Sequence, residues 1–140
     1  MKLEELKKRI QDGAAVHGCW LNTGSALAAE MVCKSGFDWA LVDLEHGVGD
    51  EKDAFHQLQA IAPTTTIPIV RTEQLSRPKV QRMLDMGAQG IMFPQIKTLD
   101  ETKFAASTLR YPPEGVRGVA TMIRATDFGM SLDEYQKKVK

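Results

Sequence analysis

The chain has 140 residues, 43% of them hydrophobic and 26% charged, with 18 basic side chains set against 18 acidic ones. That length suits one domain, and the balanced charge argues against the basic face with which nucleic-acid-binding domains meet phosphate. It also leaves little net charge to oppose self-association, and no apolar run approaches the roughly 18 residues of a membrane helix, so no membrane partner is expected.

Met1–Gln11, rich in Lys and Glu with Leu3, Leu6 and Ile10 at helical spacing, predicts a short amphipathic helix. A signal peptide would need an apolar centre. The first apolar run is Ala15–Leu21, and Thr23 or Ser25 is placed to cap a helix with Leu27, Ala28, Met31 and Val32 on its inner face, closed by Gly36. The second run is Trp39–Leu44, followed by a helix capped by Asp50 with Ala54, Leu58 and Ile61 inward and Pro63 beyond its end. The third is Pro68–Arg71, with Val80, Met83 and Leu84 on the next helix and Gly87 closing it. The fourth is Gly90–Pro94, after which Thr98 and Glu101 form a capping-box pattern for a helix to about Arg110. Tyr111–Ile123, with two prolines and two glycines, reads as a long irregular loop of the kind that tends to carry function. Ser131 and Glu134 then open one more helix, and no fifth strand follows.

Continuous apolar runs alternating with amphipathic stretches are the mark of strands covered on both faces, as in parallel sheets with crossover helices. The class is therefore α/β in four strand–helix units; a doubly wound sheet and a barrel share this pattern. Cys19 and Cys33 form no C-x-x-C pair and, in the cytoplasmic setting expected for the chain, read as reduced packing residues. Phosphate-loop, dinucleotide and H-E-x-x-H patterns are absent from the sequence.

Ligands of parallel α/β folds bind at the carboxyl ends of the strands. Those ends carry Trp20 and Asn22, then Asp43-Leu44-Glu45-His46-Gly47, then Arg71, then Gln95. Each has an ordinary alternative: a capping carboxylate for Asp43 or Glu45, a loop imidazole satisfied by backbone for His46, a surface ion pair for Arg71, a turn residue for Gln95, packing for Trp20. Their coincidence on one rim makes it the candidate site. His17, ahead of the first strand's glycine, is expected in the core or on the opposite face, and His56 on a solvent-facing helix surface.

The runs Gly18-Cys19-Trp20-Leu21, Gly36-Phe37-Asp38-Trp39, Asp43-Leu44-Glu45-His46-Gly47, Leu84-Asp85-Met86-Gly87-Ala88 and Arg110-Tyr111-Pro112-Pro113-Glu114-Gly115-Val116-Arg117-Gly118 resemble, in order and spacing, the HpcH/HpaI family of metal-dependent pyruvate aldolases. The resemblance implies a (β/α)₈ TIM barrel of about 250 residues. Residues 1–140 would be its N-terminal half, a partial domain of about four βα units truncated before the fifth strand. It implies aldol cleavage of a 4-hydroxy-2-oxo acid to pyruvate and an aldehyde, with a divalent metal, Mg²⁺ or Mn²⁺, polarising the keto group. The metal's Glu and Asp ligands come from later strands in the family, so no metal position is expected within this chain. Carried over residue by residue, His46 takes the acid/base position, Asp85 the carboxylate that orients it, and Arg71 the place beside the pyruvate oxygens. Trp20 and Gln95 take substrate-lining positions, and Asp43 and Glu45 supporting ones. The resemblance also implies a homo-oligomer. A half barrel by itself would leave open strand edges and an uncovered inner face. The other expectation is thus an inactive fragment that self-associates, two halves making a pseudo-barrel, or that needs a partner half.

Overall fold

The four apolar runs pair side by side in chain order. In the computed structural model, which describes residues 3–139, β1 (Gly18–Leu21), β2 (Trp39–Asp43), β3 (Ile67–Arg71) and β4 (Gly90–Met92) form one parallel sheet of order β1-β2-β3-β4. The helices are α1 (Leu3–Gln11), α2 (Ala26–Lys34), α3 (Glu51–Ile61), α4 (Arg77–Asp85), α5 (Leu99–Thr108) and α6 (Leu132–Val139), with a 3₁₀ turn at Arg124–Thr126.

Side chains alternate across a strand. Leu21, Ala40, Val42 and Val70 fall on the helix-covered face and form one buried cluster with Ala29, Cys33, Ala54, Leu58, Ile61 and Met83. The other face presents Trp20, Leu41 and Ile69 in one row and Asp43, Arg71 and Met92 in the next, because β1, β2, β3 and β4 run in matched register. That second row is the carboxyl-end rim. Met92 on that row and Trp20 one row below it are partly open to solvent, 38% and 43% exposed.

The caps fall where the sequence places them. Ser25 Oγ accepts from the amide of Ala28 at 3.2 Å, Thr98 Oγ1 accepts from Glu101 at 3.1 Å while Glu101 Oε2 accepts from Thr98 at 2.9 Å, and Asp50 and Asp53 exchange a second such pair at the start of α3. Gly36 and Gly87 end α2 and α4 with φ of 101° and 107°, a region L-residues rarely enter.

One predicted face is rotated. The side chains of α2 that enter the core are Ala29 and Cys33, with Val32 packed beside them, whereas Leu27 and Met31 are each 67% exposed. Small side chains let the helix axis approach α3 and the sheet closely, so the bulky pair is left on the outer flank. β1 also begins later than its apolar run: Ala15 is exposed, and His17 lies exposed at the amino end of the sheet with its amide on Asp38 at 2.8 Å. His56 is exposed on α3 and Cys33 is buried.

The segment after α5 has the irregular course expected, but it is pinned. Arg117 is buried, its guanidinium 4.6 Å from the Tyr111 ring and 5.7 Å from the Tyr135 ring, with Nη2 3.0 Å from Asp85 Oδ1. Loop, α6 and the end of α4 are thereby joined, and burial pushes the Tyr111 hydroxyl up to about 12.

Asp50 accepts from Lys52 at 2.8 Å and Asp53 at 3.0 Å. Asp50→Ala strips α3 of both bonds and is expected to cost about 1 kcal/mol, read as a lowered urea midpoint with unchanged slope; an unmoved midpoint would mean the cap contributes nothing.

Candidate functional site

β2 and β3 pair with Asp43 directly beside Arg71, both pointing to the open face at the carboxyl end. The side chain of Asp43 has no exposed surface. Such a carboxylate stays ionised only if donors replace the water it has lost. Its Oδ1 accepts from Arg71 Nε at 2.8 Å and from the amides of Glu45 at 3.0 Å and His46 at 3.2 Å. Oδ2 accepts from Arg71 Nη2 at 2.7 Å and from Asn22 Nδ2 at 2.9 Å. Arg71, beside Asp43, holds its carboxyl below the usual carboxylate range against the opposing desolvation, and the His46 and Glu45 amides add to the effect.

Arg71 is fixed from three directions. Asp43 takes two of its donors in a fork, Glu45 Oε2 lies 3.0 Å from Nη1, and the guanidinium carbon stands 4.6 Å from the centre of the Trp20 ring, within cation–π range. An arginine has five N–H donors, so donors remain for an incoming oxygen. His46 is on the same loop as Glu45, with Nε2 3.8 Å from Glu45 Oε1 and a side chain 71% exposed. The two amides bound by Asp43 set the turn that presents this imidazole to solvent.

Trp20, Asp43, Glu45, His46 and Arg71 are thus brought together. Gln95 is on the same rim but in a different place: it lines a cavity of about 380 Å³ between the segments after β3 and β4, with Glu73, Gln74 and Lys97, and holds a left-handed φ of 52°. Asp85 stands apart. It ends α4, which runs back toward the start of β4, and its carboxylate meets Arg117. Its observed partner is thus Arg117, and the carboxylate observed near the imidazole is Glu45. Sequence reasoning left Asn22 without a task; its place directly after β1 was the signal. Arg117 entered only as part of a run, since nothing local reveals a buried guanidinium between two tyrosines.

Among the described residues, no group of three or more His, Cys, Asp or Glu side chains is placed to hold a metal ion. The carboxylates of the rim are already engaged by Arg71 and by backbone amides, which leaves them a poor cradle for a cation. No helix among these residues is long and apolar enough to cross a membrane.

A family model described as HpcH/HpaI aldolase/citrate lyase matches residues 17–135. The chain is 39% identical over 134 residues to 2-keto-3-deoxy-L-rhamnonate aldolase from Escherichia coli O1:K1, covering 95% of this chain and 50% of that protein. A crystal structure of an HpcH/HpaI aldolase/citrate lyase family protein from Burkholderia cenocepacia J2315 superposes with a TM-score of 0.87 at 40% identity, over 96% of this chain and 55% of the other. An HpcH/HpaI aldolase from Desulfitobacterium hafniense DCB-2 gives 0.83 at 28% identity, over 96% and 52%. The chain spans about half the length of the curated relatives it matches.

Because the folded Asp43 is more acidic than an unfolded aspartate, its contribution to stability is present above the unfolded value of about 3.9 and is lost as pH falls from there through the folded value. Asp43→Asn is expected to remove about 3 kcal/mol at neutral pH by leaving Arg71 without its fork, and to flatten the fall in stability between about pH 5 and 3. Urea midpoints measured across that range check both; a variant with the parent's acid limb would show that Asp43 is not the titrating group.

Proposed function

The chain belongs to the HpcH/HpaI aldolase/citrate lyase family, and from that premise we propose that it supplies the acid/base and oxyanion-binding half of a pyruvate-forming aldolase. The reaction is reversible cleavage of a 4-hydroxy-2-oxo acid to pyruvate and an aldehyde. The observation that carries this reading is the clamped Arg71 with the exposed imidazole of His46 beside it on one strand-end rim.

The roles follow from the geometry. Arg71 is a fixed positive charge with free N–H donors, suited to the carboxylate and enolate oxygens of a 2-oxo acid. Fixed by Asp43, Glu45 and Trp20, it loses little freedom on binding. Imidazole is the side chain whose ordinary charge change lies near neutrality, so His46 is the group to take the proton from the C4 hydroxyl in cleavage and return it in condensation. Trp20 forms an apolar wall under the guanidinium, and Gln95 lines the neighbouring cavity, where an aldehyde's hydroxyls would find an amide.

Two carboxylates against one guanidinium leave the cluster net negative. The divalent metal, Mg²⁺ or Mn²⁺, that the family implies would be held elsewhere than on these carboxylates, which Arg71 and backbone amides already engage. When bound, that ion supplies Lewis acidity at the keto oxygen; the described residues do not form its cradle, and the roles of Arg71, His46, Trp20 and Gln95 are those of this chain's own groups.

The role carried over to Asp85 has a geometric condition. With its carboxylate paired to Arg117 in this chain, that role would have Asp85 reach His46 from a second chain of a homo-oligomer. The other source of orientation is Glu45, already 3.8 Å from the imidazole. The second reading of the whole, an inactive portion that self-associates or waits for a partner half, is favoured by the exposed Trp20 and Met92 on the open sheet face.

Deuterium incorporation into the methyl group of pyruvate, followed by proton NMR with excess Mg²⁺, tests enolate formation without choosing an aldehyde. Exchange above background, strongly reduced in Arg71→Ala, is the outcome the aldolase reading requires; because the described residues form no metal cradle, a folded protein that gives none would favour the second reading. In the active protein or its assembly, His46→Ala is expected to slow aldol cleavage about 10²–10⁴-fold with a smaller effect on pyruvate binding. If Asp85 acts between chains, His46→Ala and Asp85→Asn proteins mixed together recover activity that neither has alone. A silent mixture of two folded variants would assign the orientation to Glu45.

A further inference from the structure

Asn22 follows β1 directly and has none of the roles above. The residue is exposed, yet both of its polar ends are committed to the loop that follows β2. Its side-chain amide donates to Asp43 Oδ2 at 2.9 Å, and its backbone carbonyl accepts from the amide of Val48 at 3.0 Å. The first contact meets the start of the loop that carries Glu45 and His46, and the second meets its end.

The loop leaves no slack between those points. A Cβ on Gly47 would overlap the carbonyl oxygen of Asp43 and lie 3.3 Å from the carbonyl oxygen of Asn22. Just beyond, a Cβ on Gly24 would stand 3.0 Å from the Cα of Gly49, so the segments after β1 and β2 touch backbone to backbone. Asp43 Oδ2 has two donors in all among the described residues, Arg71 Nη2 and Asn22 Nδ2. With the amide removed, a fully buried oxygen keeps a single partner, and that partner is the guanidinium the site depends on.

We propose that Asn22 is a positioning residue of this site: its amide completes the donor set of Asp43 while its carbonyl holds the far end of the loop, so that Arg71 and the imidazole of His46 keep a fixed separation. The inference rests on the aldolase reading for its consequence in catalysis, and on distances alone for the placement. The charged and titratable groups that face Asp43 and Asn22 are Arg71 from β3, Glu45 and His46 from the loop itself and, beyond Gly24 and Gly49, Asp53 from α3, which already serves the amide of Asp50.

Two substitutions separate positioning from bulk. Asn22→Leu keeps the branched outline at Cγ in a larger side chain and removes the donor. Asn22→Asp keeps the shape, and while protonated it keeps a donor as well; once ionised it sets a carboxylate against Asp43. Like charges at that range raise the pKa of one member, so the second variant should behave as the parent in acid and fail toward neutrality. The readout is solvent exchange of the Arg71 Nε–H by ¹⁵N NMR between about pH 4.5 and 7.5, with folding followed by circular dichroism. The expected result is exchange about tenfold faster in Asn22→Leu, as befits loss of one charge-assisted bond. In Asn22→Asp, acceleration relative to the parent at the same pH should appear with a midpoint above the ordinary aspartate range. Parent-like exchange in a folded Asn22→Leu, or a ratio of Asn22→Asp to parent exchange that stays constant with pH, would overturn the proposal and make Asn22 a surface residue. Should Asn22→Leu fail to fold, the pH profile of Asn22→Asp decides by itself. Pyruvate methyl exchange by the unaltered protein is measured alongside: its absence counts against the aldolase reading, and the arginine signal still decides the placement of Asn22.

Discussion

A carboxylate without exposed surface must be surrounded by donors, and Asp43 organises the rim on those terms. Parallel register places it next to Arg71 on the neighbouring strand, so the costliest group of the site is neutralised by the sheet itself. The remaining lone pairs draw in the backbone of the following loop and the amide of Asn22. Once these bonds are made, the direction of the guanidinium, the turn at Glu45 and the exposure of His46 are no longer independent. Breaking a buried pair of this kind is costly because one charge remains behind, and this makes the arrangement a stiff one.

Much of this architecture could be read from local chemistry. Capping residues announce helix starts because their side chains answer unsatisfied amides close by, and Ser25, Asp50 and Thr98 do so in the structure. Continuous apolar runs announced parallel strands for the same local reason. The inner face of α2 was not legible: Leu27 and Met31 outrank Ala29 in hydrophobicity, but closeness of approach to α3 and the sheet favours the smaller side chain, and that choice is made by neighbours distant in sequence.

The rim was legible as a position, since strand ends converge in any parallel sheet. The internal bonding was not. Nothing in the run around Asp85 shows that its carboxylate will meet Arg117 rather than an imidazole, because that pairing depends on where a loop more than thirty residues later comes to lie. Asn22 was similarly silent; a polar residue after a strand is common, and only the register of β1 against β2 gives it Asp43 as a neighbour. Residue type indicated which chemistry was available, and tertiary placement decided which partner each group received.

The contact between Gly24 and Gly49 constrains how this chain can vary over time. Surface loops ordinarily accept inserted residues at little thermodynamic cost, which is how substrate preferences diverge among enzymes that share a scaffold. In this chain the segments after β1 and β2 are fused where their backbones touch, and an insertion in either would push on the other and through it on Asp43. Diversification is therefore expected to concentrate in the segments after β3 and β4, around the cavity lined by Gln74 and Gln95, where no such glycine contact ties one loop to its neighbour among the described residues.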